Sequence, residues 1–261
     1  MTETKADSNS ALPEANRRNF LKGAAFAGAA SAVPVTAQAA MPVAASAKIA
    51  PPGPAQLAAD TKEPNDNPVS QTSSGGEFMV DVLKALDVEY MVMMCASSFR
   101  GIHEAIVNYA DNRKPEILTT AHEEIANAMA HGYGKMAGKP LATIQHGNVG
   151  VQHASMAFYN AWCDRAPILS FCGNIIEADK RLPGAEWVHS AVDPAGMVHD
   201  MLKYDDQPAS LQHFAESVTR AVKIATTPPM GPTLVVLDAE LQEHPIANRE
   251  KLRIPKYTPV I

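Results

Sequence analysis

The chain has 261 residues, 46% hydrophobic and 19% charged, with 22 basic and 28 acidic side chains and a formal charge of −6. That much apolar material excludes wholesale disorder, and the acidic balance argues against the basic face that a nucleic-acid binder displays. Cys95, Cys163 and Cys172 contain no Cys-x-x-Cys pair, so neither a disulfide framework nor a four-thiolate zinc site is expected.

Residues 1–47 read as a targeting segment. A polar start ends in Asn16-Arg17-Arg18-Asn19-Phe20-Leu21-Lys22, a Gly/Ala-rich run extends to Ala37, and Ala37-Gln38-Ala39 and Ala45-Ser46-Ala47 suit cleavage. Adjacent arginines before Phe-Leu-Lys are similar to a twin-arginine export signal, which implies a periplasmic or other extracytoplasmic destination. Without this segment 18 basic and 25 acidic side chains remain, so the charge of −7 belongs to the folded part. No stretch is long and apolar enough for a stable membrane span.

Residues 48–74 are rich in Pro, Ser and Asn and read as a flexible linker. One folded block is expected over 75–245, and the proline-punctuated residues 246–261 read as a tail. Within the block, Phe78, Val82, Leu83 and Leu86 recur at helical spacing, and Tyr90–Met94 follows as a short strand. A helix from about Phe99 to Tyr109 and a strand over Pro115–Leu118 come next. The clearest helix starts near Ala121, with Ile125, Met129, Gly132, Tyr133 and Met136 predicted as its inward stripe, and ends at Gly138 and Pro140.

Leu141–Gln145 and Ile168–Cys172 are unalternating apolar runs, as in parallel strands covered on both faces. Leu211, Phe214, Val218, Ala221, Val222 and Ala225 mark a long amphipathic helix, and Thr233–Leu237 a last buried strand. Alternating strands and helices predict an α/β fold, a single domain with a mostly parallel sheet and helices on both faces, joined by right-handed crossovers. Ligands of such sheets bind beyond the carboxyl ends of the strands.

The most informative stretch is Thr119-Thr120-Ala121-His122-Glu123-Glu124-Ile125-Ala126-Asn127-Ala128-Met129-Ala130-His131-Gly132-Tyr133. One reading of Glu123 is structural: Thr120 and Glu123 fit a capping box, and an acid in the first helical turn suits the helix dipole. His122-Glu123 is not a zinc-protease motif, because Ala126 occupies the place of the second histidine. The other reading comes from the whole pattern, His-Glu-x-x-Ala-x-x-Met-Ala-x-Gly-Tyr after a short strand. It resembles the N-terminal, pyrimidine-binding domain of thiamine-diphosphate enzymes of the acetolactate synthase and benzoylformate decarboxylase group. Gly76 to Tyr90 resembles that family's opening helix and strand. Asn160-Ala161-Trp162-Cys163-Asp164-Arg165-Ala166-Pro167 with Cys172-Gly173-Asn174, and Gly231 to Asp238, resemble its later elements.

The resemblance implies thiamine diphosphate as cofactor and Glu123 as the acid that meets its aminopyrimidine ring. Glu123 stands three positions before Ala126, as the family pattern requires, and Glu124 does not. Such an acid hydrogen-bonds a ring nitrogen and favours the imino tautomer, whose nitrogen then takes the proton from the thiazolium carbon. Donation requires a protonated carboxyl, which burial favours and a helix N-terminus opposes.

The resemblance also places His146, at the end of a strand, where benzoylformate decarboxylase-like members face the substrate and relay protons. Its alternative is a strand-end histidine bonded to a loop. His153, seven residues on, reads as packing. Ser97 falls in a loop that in the family carries Gly-x-Pro-Gly-Ser and touches the cofactor, although here the proline and glycines are missing. The alternative is that Ser97 or Ser98 caps the following helix. Gly150 closes Asn148-Val149-Gly150, where the family has Gly-Pro-Gly against the cofactor. No metal site is expected within the chain.

Family holoenzymes hold Mg²⁺ and the diphosphate on a pyrophosphate-binding domain marked by Gly-Asp-Gly, a tripeptide absent from these residues. The resemblance therefore implies a partner subunit, or a further part of the same chain, that supplies this domain. Cofactor sites lie between the two kinds of domain, so an oligomer is implied. The expected reaction is decarboxylation or carboligation of a small 2-oxo acid. The alternative class is an exported binding or regulatory module that retains the fold without the chemistry.

Overall fold

The computed structural model describes residues 53–60, 73–175 and 189–258. The segment expected to be a twin-arginine signal lies outside them, as does most of the expected linker. Within that linker stretch Pro54–Asp60 forms a short helix, α1. Its proline opens the first turn, where the missing N–H costs no hydrogen bond.

The rest is organised by one sheet of six parallel strands, β1 (Tyr90–Met93), β2 (Glu116–Thr119), β3 (Leu141–Gln145), β4 (Ile168–Asn174), β5 (Tyr204–Asp206) and β6 (Pro232–Asp238), in the order β2-β1-β3-β4-β6-β5. β3, β4 and β6 are buried along their whole length, as their unalternating apolar sequences predict. The principal helices are α2 (Gly75–Ala85), α3 (Arg100–Glu104), α4 (Glu123–Ala137), α5 (Gly147–Cys163), α6 (Leu211–Thr226) and the short α7 (Ala239–Glu243). The predicted helix from Phe99 to Tyr109 is an irregular run: a 3₁₀ turn at Ser97–Phe99, α3, then a π-helical turn at Ala105–Tyr109.

Side-chain alternation along the strands divides the core between two faces. Met91, Met93, Ala142, Ile144, Leu169, Phe171, Val235 and Leu237 pack against Phe78, Leu83, Phe214 and Val218 of α2 and α6. On the opposite face Val92, Leu141 and Ile168 meet Ala126 and Ala130 of α4, while Cys172, Leu234 and Val236 meet Val151, Ala154 and Phe158 of α5. The result is the three-layer α/β arrangement that the sequence predicts. Residues 246–258 are not a free tail. Ile246, Leu252, Ile254 and Tyr257 pack on the α2–α6 side, and the Ile246 N–H bonds the Ser73 carbonyl at 2.8 Å. Among the described residues, no helix is long and apolar enough to cross a membrane.

One expectation is overturned on α4. Ile125, Met129 and Met136 are 46%, 42% and 89% exposed, so most of the predicted inward stripe faces out, and of its large side chains Tyr133 alone packs on the core. The helix instead turns Glu123, Ala126, Asn127, Ala130 and Gly134 inward. A Cβ at Gly134 would stand 2.7 Å from the Pro167 carbonyl oxygen, so this approach admits only small side chains. Bulk, the usual guide to the buried face, points the wrong way.

Asn127 anchors that inward face to a dry polar layer. The hydroxyls of Thr143 and Ser170 lie 3.2 and 3.1 Å from its side-chain carbonyl oxygen and 2.8 Å from each other, while its amide donates to the Glu123 carbonyl at 3.3 Å. All three side chains are fully buried. Asn127→Ala removes the acceptor the two hydroxyls share and leaves them only each other and the Gln145 amide, and a loss of about 1–3 kcal/mol in urea unfolding is expected.

Candidate functional site

The carboxyl ends of β1, β2 and β3 converge where the strand order reverses, between β1 and β3, which is where open α/β sheets bind ligands. From β2 the chain passes through Thr120 into α4. The capping box predicted for Thr120 and Glu123 does not form. His122 is the N-cap, its Nδ1 accepting from the Glu124 N–H at 3.2 Å, and the Thr120 hydroxyl donates to the His122 carbonyl at 3.1 Å. Glu123 is released from capping and buried, with 1% of its surface exposed.

Two features of α5 confront that carboxylate. A Cβ at Gly150 would lie 2.9 Å from Glu123 Oε1 and 3.1 Å from the Gln145 Cβ, so the missing side chain lets the carboxylate pack directly against the first turn of α5. One turn further on, His153 Nδ1 stands 3.3 Å from Glu123 Oε2. Its ring also stacks on His122, centroids 4.6 Å apart and planes 17° from parallel. The packing role expected for His153 is thus a contact with the acid. The signal was available: Gly150 and His153 are three residues apart and share a helix face.

His146 is the N-cap residue of α5, but its side chain does not cap the helix. Its Nδ1 lies 2.9 Å from the Ser98 hydroxyl and its Nε2 2.8 Å from Nδ1 of His189, a residue that the sequence did not single out. The loop-bonded alternative thus describes real contacts, yet they form a chain from a buried serine to an exposed histidine. Burial, and secondarily the charge of His189, hold the His146 pKa below its ordinary value, with Glu123 opposing. The folded protein therefore favours neutral His146, while the unfolded chain takes up a proton near pH 6.5. This contribution to stability is complete above that pH and is lost as pH falls through it toward the native value. Urea midpoints should decline over about pH 7 to 5, and His146→Asn should flatten that decline.

Ser97 is exposed at the start of the 3₁₀ turn, and it is Ser98 that reaches His146. Neither serine is a cap: Ala96 and Phe99 hold the N-cap positions, without side-chain bonds. Gln145, ending β3, gives its amide to Thr143 at 2.9 Å, while its buried Oε1 has no partner. Cys172 is buried and its thiol is pushed up by desolvation, whereas Cys95 and Cys163 are exposed.

A buried acid at a helix start, held against Gly150, with an orphaned buried acceptor nearby is a donor and acceptor set suited to a nitrogen heterocycle. Two clefts among the described residues lie away from Glu123. One of about 290 Å³ adjoins Glu77, Arg100 and Gln242, and one of about 530 Å³ adjoins Leu86, Lys139 and Tyr257.

Comparison with known proteins gives the same reading of the fold and its ligand class. Residues 73–203 match the family model described as thiamine pyrophosphate enzyme, N-terminal TPP binding domain. The chain is 24% identical over 179 residues to an acetolactate synthase of Bacillus subtilis strain 168, covering 69% of this chain and 30% of that protein. It is 25% identical over 191 residues to the acetolactate synthase large subunit of Lactococcus lactis, covering 72% and 32%. A benzoylformate decarboxylase of Pseudomonas aeruginosa is 25% identical over 111 residues, 42% of this chain and 20% of that protein. The chain thus spans about a third of the length of the acetolactate synthases it matches.

Proposed function

The chain belongs to the thiamine pyrophosphate enzymes through their N-terminal TPP binding domain, and from that premise we propose that it is the pyrimidine-binding half of a thiamine-diphosphate-dependent decarboxylase or carboligase acting on a small 2-oxo acid. The carrying observation is the buried Glu123 carboxylate, freed from capping and faced by Gly150. When bound, thiamine diphosphate supplies a nucleophilic thiazolium carbon and an electron sink for cleavage or formation of a carbon–carbon bond.

This chain's residues do the rest on the pyrimidine side. Glu123, protonated, holds a proton toward a ring nitrogen of the aminopyrimidine. Gly150 lets the carboxyl lie against α5, and burial excludes water from it. His146 holds or moves a proton at Nε2, toward substrate or along its bonded neighbours Ser98 and His189. Ser97 lines the approach from the β1 side.

The other half of the site is a pyrophosphate-binding domain carrying Gly-Asp-Gly, with its Mg²⁺, from a partner subunit or further sequence. Support comes from the uncovered apolar side chains of α4 and α5. Ile125, Met129, Met136, Met156, Tyr159 and Trp162 are all exposed on two helices that pack against each other. Residues 1–47 support export by the twin-arginine route, placing the assembly outside the cytoplasm. The test is to combine the chain with a subunit bearing Gly-Asp-Gly and measure turnover of a panel of 2-oxo acids. Turnover that needs both chains and thiamine diphosphate supports the proposal; a stable complex without thiamine-dependent turnover refutes it.

A further inference from the structure

The sequence pattern that excludes a zinc-protease helix is completed in space by a different route. His122 and Glu123 open α4, and Ala126 stands where the second histidine would be, but His153 of α5 reaches the same point. One ligating atom from each of His122, Glu123 and His153 lies within 4.8 Å of the others. We propose that these three side chains form a site for one divalent transition-metal ion of the zinc and cobalt class. Two imidazoles and one carboxylate are a donor set for such ions, and three protein ligands leave a position open for water.

The contacts fit this role. Glu123 Oε2 and His153 Nδ1 are 3.3 Å apart. A tetrahedral ion with bonds near 2.1 Å spaces its ligands by roughly 3.4 Å. Glu123 is almost fully buried, whereas the His153 side chain is 54% exposed and open to solvent on its outer side. His122 is the adjustable member. Its Nδ1 now accepts the Glu124 N–H, and coordination through either ring nitrogen gives up that bond. The stacked rings must also open from their 17° arrangement to aim at one ion. Metal binding is thus coupled to release of the α4 cap.

An ion held here occupies the carboxylate assigned above to the aminopyrimidine, so metal and cofactor exclude one another. That exclusion rests on the proposed function; the metal site does not. The test uses the full, untagged chain without cofactor, titrated with Co²⁺ and Zn²⁺ by calorimetry and visible ligand-field absorption. One ion per chain is expected, with affinity falling at least about tenfold in His122→Asn and in His153→Asn. Asparagine is a favourable N-cap residue, so the His122 variant keeps α4 capped. His199→Asn, at a histidine paired with Asp205 elsewhere, serves as the control and should bind as the unsubstituted chain does. No binding, or equal affinity in both site variants and the control, overturns the proposal. Failure of the enzymatic reading would show separately, as undiminished 2-oxo acid turnover by Glu123→Gln in the assembled enzyme.

Discussion

Glu123→Gln is expected to lower turnover of the assembled enzyme by about 10²–10⁴-fold, the contribution typical of a positioned acid or base. Glutamine has nearly the same shape, and its amide still donates a hydrogen bond. It does not give up a proton, so it no longer biases the tautomer of the ring it touches. The fold should not suffer. Replacing the buried carboxyl by an amide of nearly equal volume keeps the packing and alters only its polar contact with His153. Thermal unfolding should therefore separate the two effects, with the melting temperature nearly unchanged while steady-state turnover collapses. Turnover at the unsubstituted level would remove Glu123 from the mechanism.

Gly173→Ala should produce the opposite pattern, a structural loss that spreads to the site. Gly173 lies near the carboxyl end of β4, where an added Cβ would stand 2.5 Å from both the Ser98 carbonyl oxygen and its hydroxyl, and 2.6 Å from its carbonyl carbon. Two of these three atoms are backbone, so no rotamer change relieves the overlap. Overpacking of this kind costs about 3 kcal/mol, measurable in urea unfolding. Displacing Ser98 also breaks its bond to His146, so the pH dependence of stability should change in the same variant. Gly132→Ala is the control. Nothing lies within 4 Å of its Cβ position on the exposed side of α4, and it should gain roughly 0.5–1 kcal/mol. Equal stability of the two variants would show that β4 and the 3₁₀ turn are not in rigid contact.

How much of this is readable in the sequence depends on where each signal originates. β3 and β4 are legible because strands covered on both faces must be apolar throughout, and that pattern is local. β5, Tyr204-Asp205-Asp206, is not: it lies at the sheet edge, half-buried and polar, and nothing in its composition distinguishes it from a loop. Glu123 is legible because its spacing to Ala126 belongs to one helix. Its surroundings are tertiary. Asn127 is held by Thr143 and Ser170 from two strands, His153 arrives from α5, and Ser98 and His189 meet His146 from sequence separations of 48 and 43 residues. The face of α4 runs against its sequence for a specific reason. Close approach to Pro167 demands small residues inside, so the large ones are left outside.

That reversal has a consequence for the chain on its own. A helix that spends its alanines inward must display methionine and isoleucine to solvent, and Met136 is almost wholly uncovered. Produced by itself, the polypeptide should be sticky, with sedimentation showing mass that grows with concentration and falls back when mild detergent coats the apolar stripe. In the cell the same stickiness rewards synthesis in matched amounts with whatever covers it, since any surplus is left to associate with itself.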